Sequence, residues 1–113
     1  MNIQIFGTKR CFATKKAERY FKERRIKYHF IDLAERGLSK GELQSVRSAV
    51  GLDSLIDSLA RDYKKLNMDR IIGSSVREDI LLNNPGLYIT PIVRNGKLAT
   101  VGYQPDIWKT WES

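Results

Sequence analysis

The sequence predicts an α/β domain built on a mixed sheet, with a βαβ unit and a ββα unit flanking a block of helices. Three observations carry that prediction. An alternating apolar run at the N-terminus leads into an amphipathic helix and a second β-rich run. The centre then changes to helical patterning with a capping signature. Finally, an Asn-Gly dipeptide between two β-rich runs marks a hairpin.

Asn2-Ile3-Gln4-Ile5-Phe6 alternates polar and apolar residues up to Gly7, the period of a half-buried strand. From Phe12 to Arg25 the apolar residues Ala13, Ala17, Tyr20 and Phe21 recur at spacings of three and four, so one helical stripe is apolar and the other face basic. A turn near Arg25-Ile26 precedes Tyr28–Leu33, rich in β-formers. Strand, helix and strand within about thirty residues make a βαβ unit with parallel strands and a right-handed crossover. Ser39 followed three residues later by Glu42 is a capping box and opens a helix to about Val50, which Gly51 ends. Leu52 to Leu66 reads as one or two shorter helices, and Val76 to Asn83 as another, stopped by Asn84-Pro85-Gly86. Pro91 to Val101 reads as strand, turn and strand, with Asn95-Gly96 supplying the positive φ angles of a tight hairpin. A last helix spans about Pro105 to Trp111, and Tyr103, Trp108 and Trp111 are expected to pack it onto the sheet. That order describes a thioredoxin-like mixed sheet (βαβ then ββα) with a helical insertion at about 36–84, one domain over 1–113.

The chain has 113 residues, 42% hydrophobic and 10% aromatic, enough to bury a core without staples. One cysteine and one histidine exclude an internal disulfide and a structural zinc site, and no metal site is expected. No apolar run approaches the roughly 18–20 residues of a membrane span, and no signal peptide is seen. A cytoplasmic protein with no membrane contact is expected. Twenty Lys and Arg against thirteen Asp and Glu give a net charge of +7. Nine of the cations fall in residues 9–27 (Lys9, Arg10, Lys15, Lys16, Arg19, Lys22, Arg24, Arg25 and Lys27) against Glu18 and Glu23. The excess favours an anionic partner or is simply a solvated face. No nucleic-acid motif accompanies it, and direct nucleic-acid binding is not expected.

Cys11 lies between the first strand and the first helix. A sulfur there faces free N–H groups, those of Phe12 and Ala13 among them, and the positive end of the helix dipole. Lys9, Arg10, Lys15 and Lys16 would add positive charge. Both effects favour the thiolate, the nucleophilic form, and the same N–H groups suit an oxyanion. A buried, inert cysteine is the alternative. Thr90-Pro91 precedes the hairpin; Pro91 is either the cis-proline that thioredoxin-like proteins hold beside their cysteine or an ordinary trans proline starting a strand. Arg61 and Arg94 are candidate oxyanion partners, and His29 lies in a strand without an evident catalytic role.

Taken in order, Ile5-Phe6-Gly7-Thr8 leading to Cys11, Leu38-Ser39-Lys40-Gly41-Glu42-Leu43, Tyr63-Lys64-Lys65-Leu66, Asn84-Pro85, Thr90-Pro91-Ile92-Val93 and Val101-Gly102-Tyr103 resemble the arsenate reductase (ArsC) and Spx family over nearly the whole chain. In arsenate reductases of this type a cysteine, matched here by Cys11, attacks arsenate, and glutathione and glutaredoxin reduce the adduct. The resemblance therefore implies a monothiol oxidoreductase acting on a small oxyanion or thiol substrate, with no bound cofactor and an external reductant. The arginines of that site do not carry over cleanly. Thr90 stands where an arginine precedes the proline. Ungapped from Tyr63 the second falls on Leu59, with Arg61 two residues away, and none occurs from Gly102 to Pro105. Spx-type members regulate transcription by binding the RNA polymerase α subunit, often under a CxxC switch. Thr14 occupies the second switch position here, and Gly51 matches a glycine that Spx uses at the polymerase contact.

Overall fold

The computed structural model describes residues 1–112. Four strands form one sheet: β1 (Ile3–Gly7), β2 (Tyr28–Asp32), β3 (Ile92–Asn95) and β4 (Leu98–Val101), in the order β2-β1-β3-β4. β1 runs parallel to β2 and antiparallel to β3, and β3 is antiparallel to β4. The mixed, thioredoxin-like arrangement expected from the sequence is the one observed.

Strand alternation divides the core into two layers. Ile3, Ile5 and Val93 face α1 (Phe12–Glu23) and α5 (Pro105–Trp111), packing with Ala17, Tyr20, Phe21 and Trp108. Phe6, Ile31 and Ile92 face the other way, onto Leu43 and Val46 of α2 (Lys40–Val50), Leu81 of α4 (Ser74–Asn83), and Leu55, Met68 and Leu87 of three short 3₁₀ turns. A short α3 (Arg61–Lys65) completes that layer. Trp108 is fully buried and donates its indole N–H to Thr100 Oγ1 at 2.8 Å. Tyr103, expected to pack inward, keeps 42% of its surface exposed, with its ring edge-on to Trp108.

The local sequence signals explain the ends of the elements. Ser39 accepts from the Glu42 N–H while the Glu42 carboxylate accepts from the Ser39 N–H, the reciprocal capping box. Arg36 grips the same carboxylate with two N–H groups at 2.9 and 3.1 Å, holding the Glu42 carboxyl down at about 2, below the usual carboxylate range. α1 ends in a Schellman turn: Ile26 N–H reaches Phe21 O and Arg25 N–H reaches Lys22 O, with Arg25 at φ 57°. α4 begins at Ser74, two residues before the Val76 start read from the sequence, because Gly73 and Ser74 carry no apolar signal to mark the first turn. Arg47 and Gln44 of α2 both bond the buried Glu78 carboxylate and tie α2 to α4.

The hairpin departs from its expected register. Asn95 pairs with Leu98, so Gly96 and Lys97 form the loop, and only Gly96, at φ 61°, is left-handed. Glycine at the first central position with an ordinary residue after it suits a type II′ turn, whereas Asn-Gly in the loop would require two positive φ angles.

Candidate active site around Cys11

β1 ends at Gly7, and Thr8-Lys9-Arg10 turn the chain into α1 so that Cys11 is its N-cap, at φ −75° and ψ 119°. Its carbonyl accepts the first helical bond, from Lys15 N–H at 3.1 Å. The position is normally held by a short oxygen-bearing side chain; here it holds a sulfur. From the far end of the chain, the loop before β3 brings Thr90-Pro91 alongside, joined by a cis peptide bond. Thr90 Oγ1 donates to Cys11 Sγ at 3.1 Å, and the thiol faces Thr90 O at 3.7 Å.

Two opposing influences act on the thiol. Partial burial of the sulfur raises its pKa and is the largest single effect. Together the hydroxyls of Thr14 and Thr90 and the N–H groups of Thr14 and Ala13 outweigh it, and the thiol ionises below its ordinary value. Thr90 is the firm partner, because its oxygen lies within bonding distance of the sulfur. Cys11 makes no capping hydrogen bond of standard geometry, and Thr14 Oγ1 is buried with no hydrogen-bond partner among the described residues. The contributions of Thr14 and the amides are therefore those of oriented dipoles beside the sulfur. The sequence expectation is that Lys9, Arg10, Lys15 and Lys16 add positive charge near the sulfur. All four are exposed and none is among the groups that act most on the thiol, since water screens exposed charges.

Thr14 is the residue that sequence reasoning missed. It lies three positions after Cys11, hence on the same face of the first turn, and is fully buried against Gly7. A Cβ on Gly7 would stand 2.4 Å from Thr14 Oγ1. The helix start approaches the strand end so closely that only glycine fits there.

The other candidates are placed as follows. Ala13 offers its N–H to the sulfur, while the Phe12 side chain is 71% exposed. Arg10 lines an open cavity of about 440 Å³ beside the loop, with Thr8, Lys9, Asp32 and Ala34. The Asp32 carboxylate offsets part of the positive charge there. Arg61 opens α3 on the surface and makes no hydrogen bond or ion pair with the Cys11 cluster. Arg94 pairs with Gln4 and Ala99 in the sheet, three residues past Pro91 and so about 10 Å along the strand from the cysteine end. It faces the α2 side, and its Nε is buried without a partner among the described residues. Neither Arg61 nor Arg94 joins Cys11 and Thr90. Among the described residues no three His, Cys, Asp or Glu side chains gather as a metal site requires, and no helix is long and apolar enough to cross a membrane.

Comparison with known proteins gives a consistent picture. A family profile described as the ArsC family matches residues 6–111. The global transcriptional regulator Spx of Staphylococcus aureus is 29% identical over 109 residues, spanning 92% of this chain and 82% of its own length. Among solved structures, the arsenate reductase of Vibrio cholerae is similar with a TM-score of 0.84 and 21% identity, over 95% of this chain and 94% of its own. An arsenate reductase related protein of Brucella melitensis has a TM-score of 0.71 and 22% identity, over 100% of this chain and 96% of its own. At these identities the solved structures speak for the fold.

Proposed function

The chain belongs to the ArsC family, and on that premise we propose that it is a monothiol oxidoreductase with Cys11 as its nucleophile. The single observation that carries the reading is the Thr90 hydroxyl held 3.1 Å from Cys11 Sγ at the start of α1. The thiolate attacks one sulfur of a disulfide substrate, expels the other as thiolate, and leaves a mixed disulfide on Cys11. There is no second cysteine in the chain, so an external thiol, glutathione or glutaredoxin, attacks that mixed disulfide and returns the Cys11 thiolate. With arsenate, the sulfur displaces a hydroxyl group as water, and the external thiols supply the electrons that take arsenic(V) to arsenic(III).

The oxyanion branch is the weaker. The N–H groups at the helix start are present, but neither Arg61 nor Arg94 joins the cysteine cluster. Oxyanion donors lost from comparable sites cost about 2.7–4 kcal/mol each. Disulfide exchange, which spreads less negative charge in its transition state, is less affected. The test is turnover of a small mixed disulfide and of arsenate, each with glutathione and glutaredoxin. Disulfide turnover that vanishes in Cys11→Ser supports the reading, and a parent protein inert to both substrates removes the enzymatic assignment.

A second reading has its own support in the likeness to Spx: a regulator that binds the RNA polymerase α subunit without catalysis. Binding of purified α subunit that is unchanged in Cys11→Ser, in a protein without turnover, selects it.

A further inference from the structure

All nine cations of residues 9–27 are exposed, and among the described residues only Arg24 of these takes part in an ion pair, with Glu112 at 3.6 Å. Elsewhere among the described residues Arg36, Arg47 and Arg77 each meet a carboxylate. Over residues 36–84 eight Lys and Arg stand against seven Asp and Glu, so charge there is nearly balanced, whereas residues 9–27 carry nine cations against two acids. Part of that charge lines a cleft of about 380 Å³ between α1 and α5, where Lys16, Arg19, Arg24 and Lys109 stand with Glu23 and Asp106. At the Cys11 end the cleft is bordered by two exposed aromatic rings. Lys16 Nζ lies 5.2 Å from the Phe12 centroid and 5.5 Å from that of Tyr103.

We propose that this α1–α5 face is a docking surface for an acidic protein, seated directly beside Cys11. Unpaired cations around exposed aromatic side chains are the composition of a contact that uses charge for approach and an apolar anchor for hold. The cleft is open and mixed in sign, which suits a protein surface better than a polyphosphate. Glu23 and Asp106 would repel successive phosphates, but they match a partner carrying an occasional Lys or Arg among its acids. Both rings also give a face to Lys16, which leaves a poor platform for stacked bases. The inference does not depend on the substrate of Cys11, because none of its contacts involves the sulfur.

The probe is a short, fluorescently labelled peptide alternating glutamate and leucine, read by anisotropy and by amide chemical-shift mapping. Single-stranded DNA of equal charge serves as the competitor. The expected result is a set of shifts confined to α1 and α5, affinity that falls with added salt, and about tenfold weaker binding in Lys16→Glu with Arg19→Glu. Reversing Lys64→Glu with Lys65→Glu on the exposed face of α3 should leave affinity within about twofold, which separates this face from net charge. Phe12→Ala should weaken binding without changing its salt dependence, and Cys11→Ser should bind as the parent does. Equal losses from the α1 and α3 reversals overturn the proposal, as do shifts spread over the whole surface. DNA that binds the α1–α5 face more tightly than the peptide also overturns it, in favour of a nucleic-acid contact.

Discussion

Replacing Thr90 by valine keeps the shape of the side chain and removes the one hydroxyl in hydrogen-bonding contact with Cys11 Sγ. A hydrogen bond to a charged group contributes about 1.5–3 kcal/mol. The site is open on one side and Cys11 is only partly buried, so the lower end applies. One pKa unit corresponds to 1.36 kcal/mol, and Thr90→Val should therefore raise the thiol pKa by about one unit. Burial of the sulfur, which already opposes ionisation, is then less well countered by the Thr14 hydroxyl and the two N–H groups. The ultraviolet absorbance of the thiolate followed against pH measures the shift, with Cys11→Ser as the blank. The chain has one cysteine, so no second thiol contributes. The pH profile of alkylation by iodoacetamide should move by the same amount. A thiol pKa in Thr90→Val that is unchanged or lower, with the fold intact by circular dichroism, would falsify the assignment of Thr90 as the residue holding the thiolate.

Three further outcomes are expected. Gly7→Ala drives a methyl group to 2.4 Å from Thr14 Oγ1 and should cost about 1–3 kcal/mol in urea unfolding; adding Thr14→Ala removes the two nearest atoms and should recover part of the loss, and a double variant no more stable than the single one would show that the clash lies elsewhere. Trp108→Phe strands the buried Thr100 hydroxyl, and a loss of about 1–3 kcal/mol should appear in the same measurement, whereas Trp108→Phe with Thr100→Val should lose less. Glu42, with its folded pKa lowered to about 2 from a carboxylate value of 4.5, contributes stability that is complete above the unfolded pKa and fades as pH falls through that interval. Arg36→Ala should flatten this acid dependence, and an unaltered stability profile between those two pH values would contradict the role given to the ion pair.

The sequence shows most clearly what is decided locally. The 3–4 spacing of Ala17, Tyr20 and Phe21, the Ser39–Glu42 capping box and the terminal helix from Pro105 to Trp111 are all found in place, because each is specified within a turn or two of helix. The 3₁₀ turns of the insertion were not legible: three residues are too few to show a period, and Leu55, Met68 and Leu87 are fixed by burial against distant partners. The hairpin shows a finer limit. Asn-Gly names the turn but not which residue begins it, and cross-strand pairing of Asn95 with Leu98 decides.

The site divides in the same way. The place of Cys11 at the start of a helix follows from the strand-to-helix change of pattern. What acts on the sulfur does not, because counting nearby cations weights charges that water screens. Thr14 could have been found by projecting the first helical turn, since positions three apart share a face. Thr90 stands out in the sequence only for the proline after it, and no spacing reveals a hydroxyl on a sulfur 79 positions away. Arg61 and Arg94 are candidates by residue type alone, and strand register carries Arg94 along β3 away from the cysteine.

That separation between Cys11 and Thr90 also has a meaning in time. β1 meets β2 within about thirty residues, but its pairing with β3 joins Ile3 to Asn95 and awaits the last part of the chain. On a ribosome, Cys11 leaves the exit tunnel long before Thr90 is made. The emerging chain therefore carries a thiol without the Thr90 hydroxyl beside it, and that contribution to the lowered pKa arrives only when the C-terminal hairpin closes the sheet. A truncated or stalled chain therefore lacks one of the groups that favour the thiolate in the finished protein.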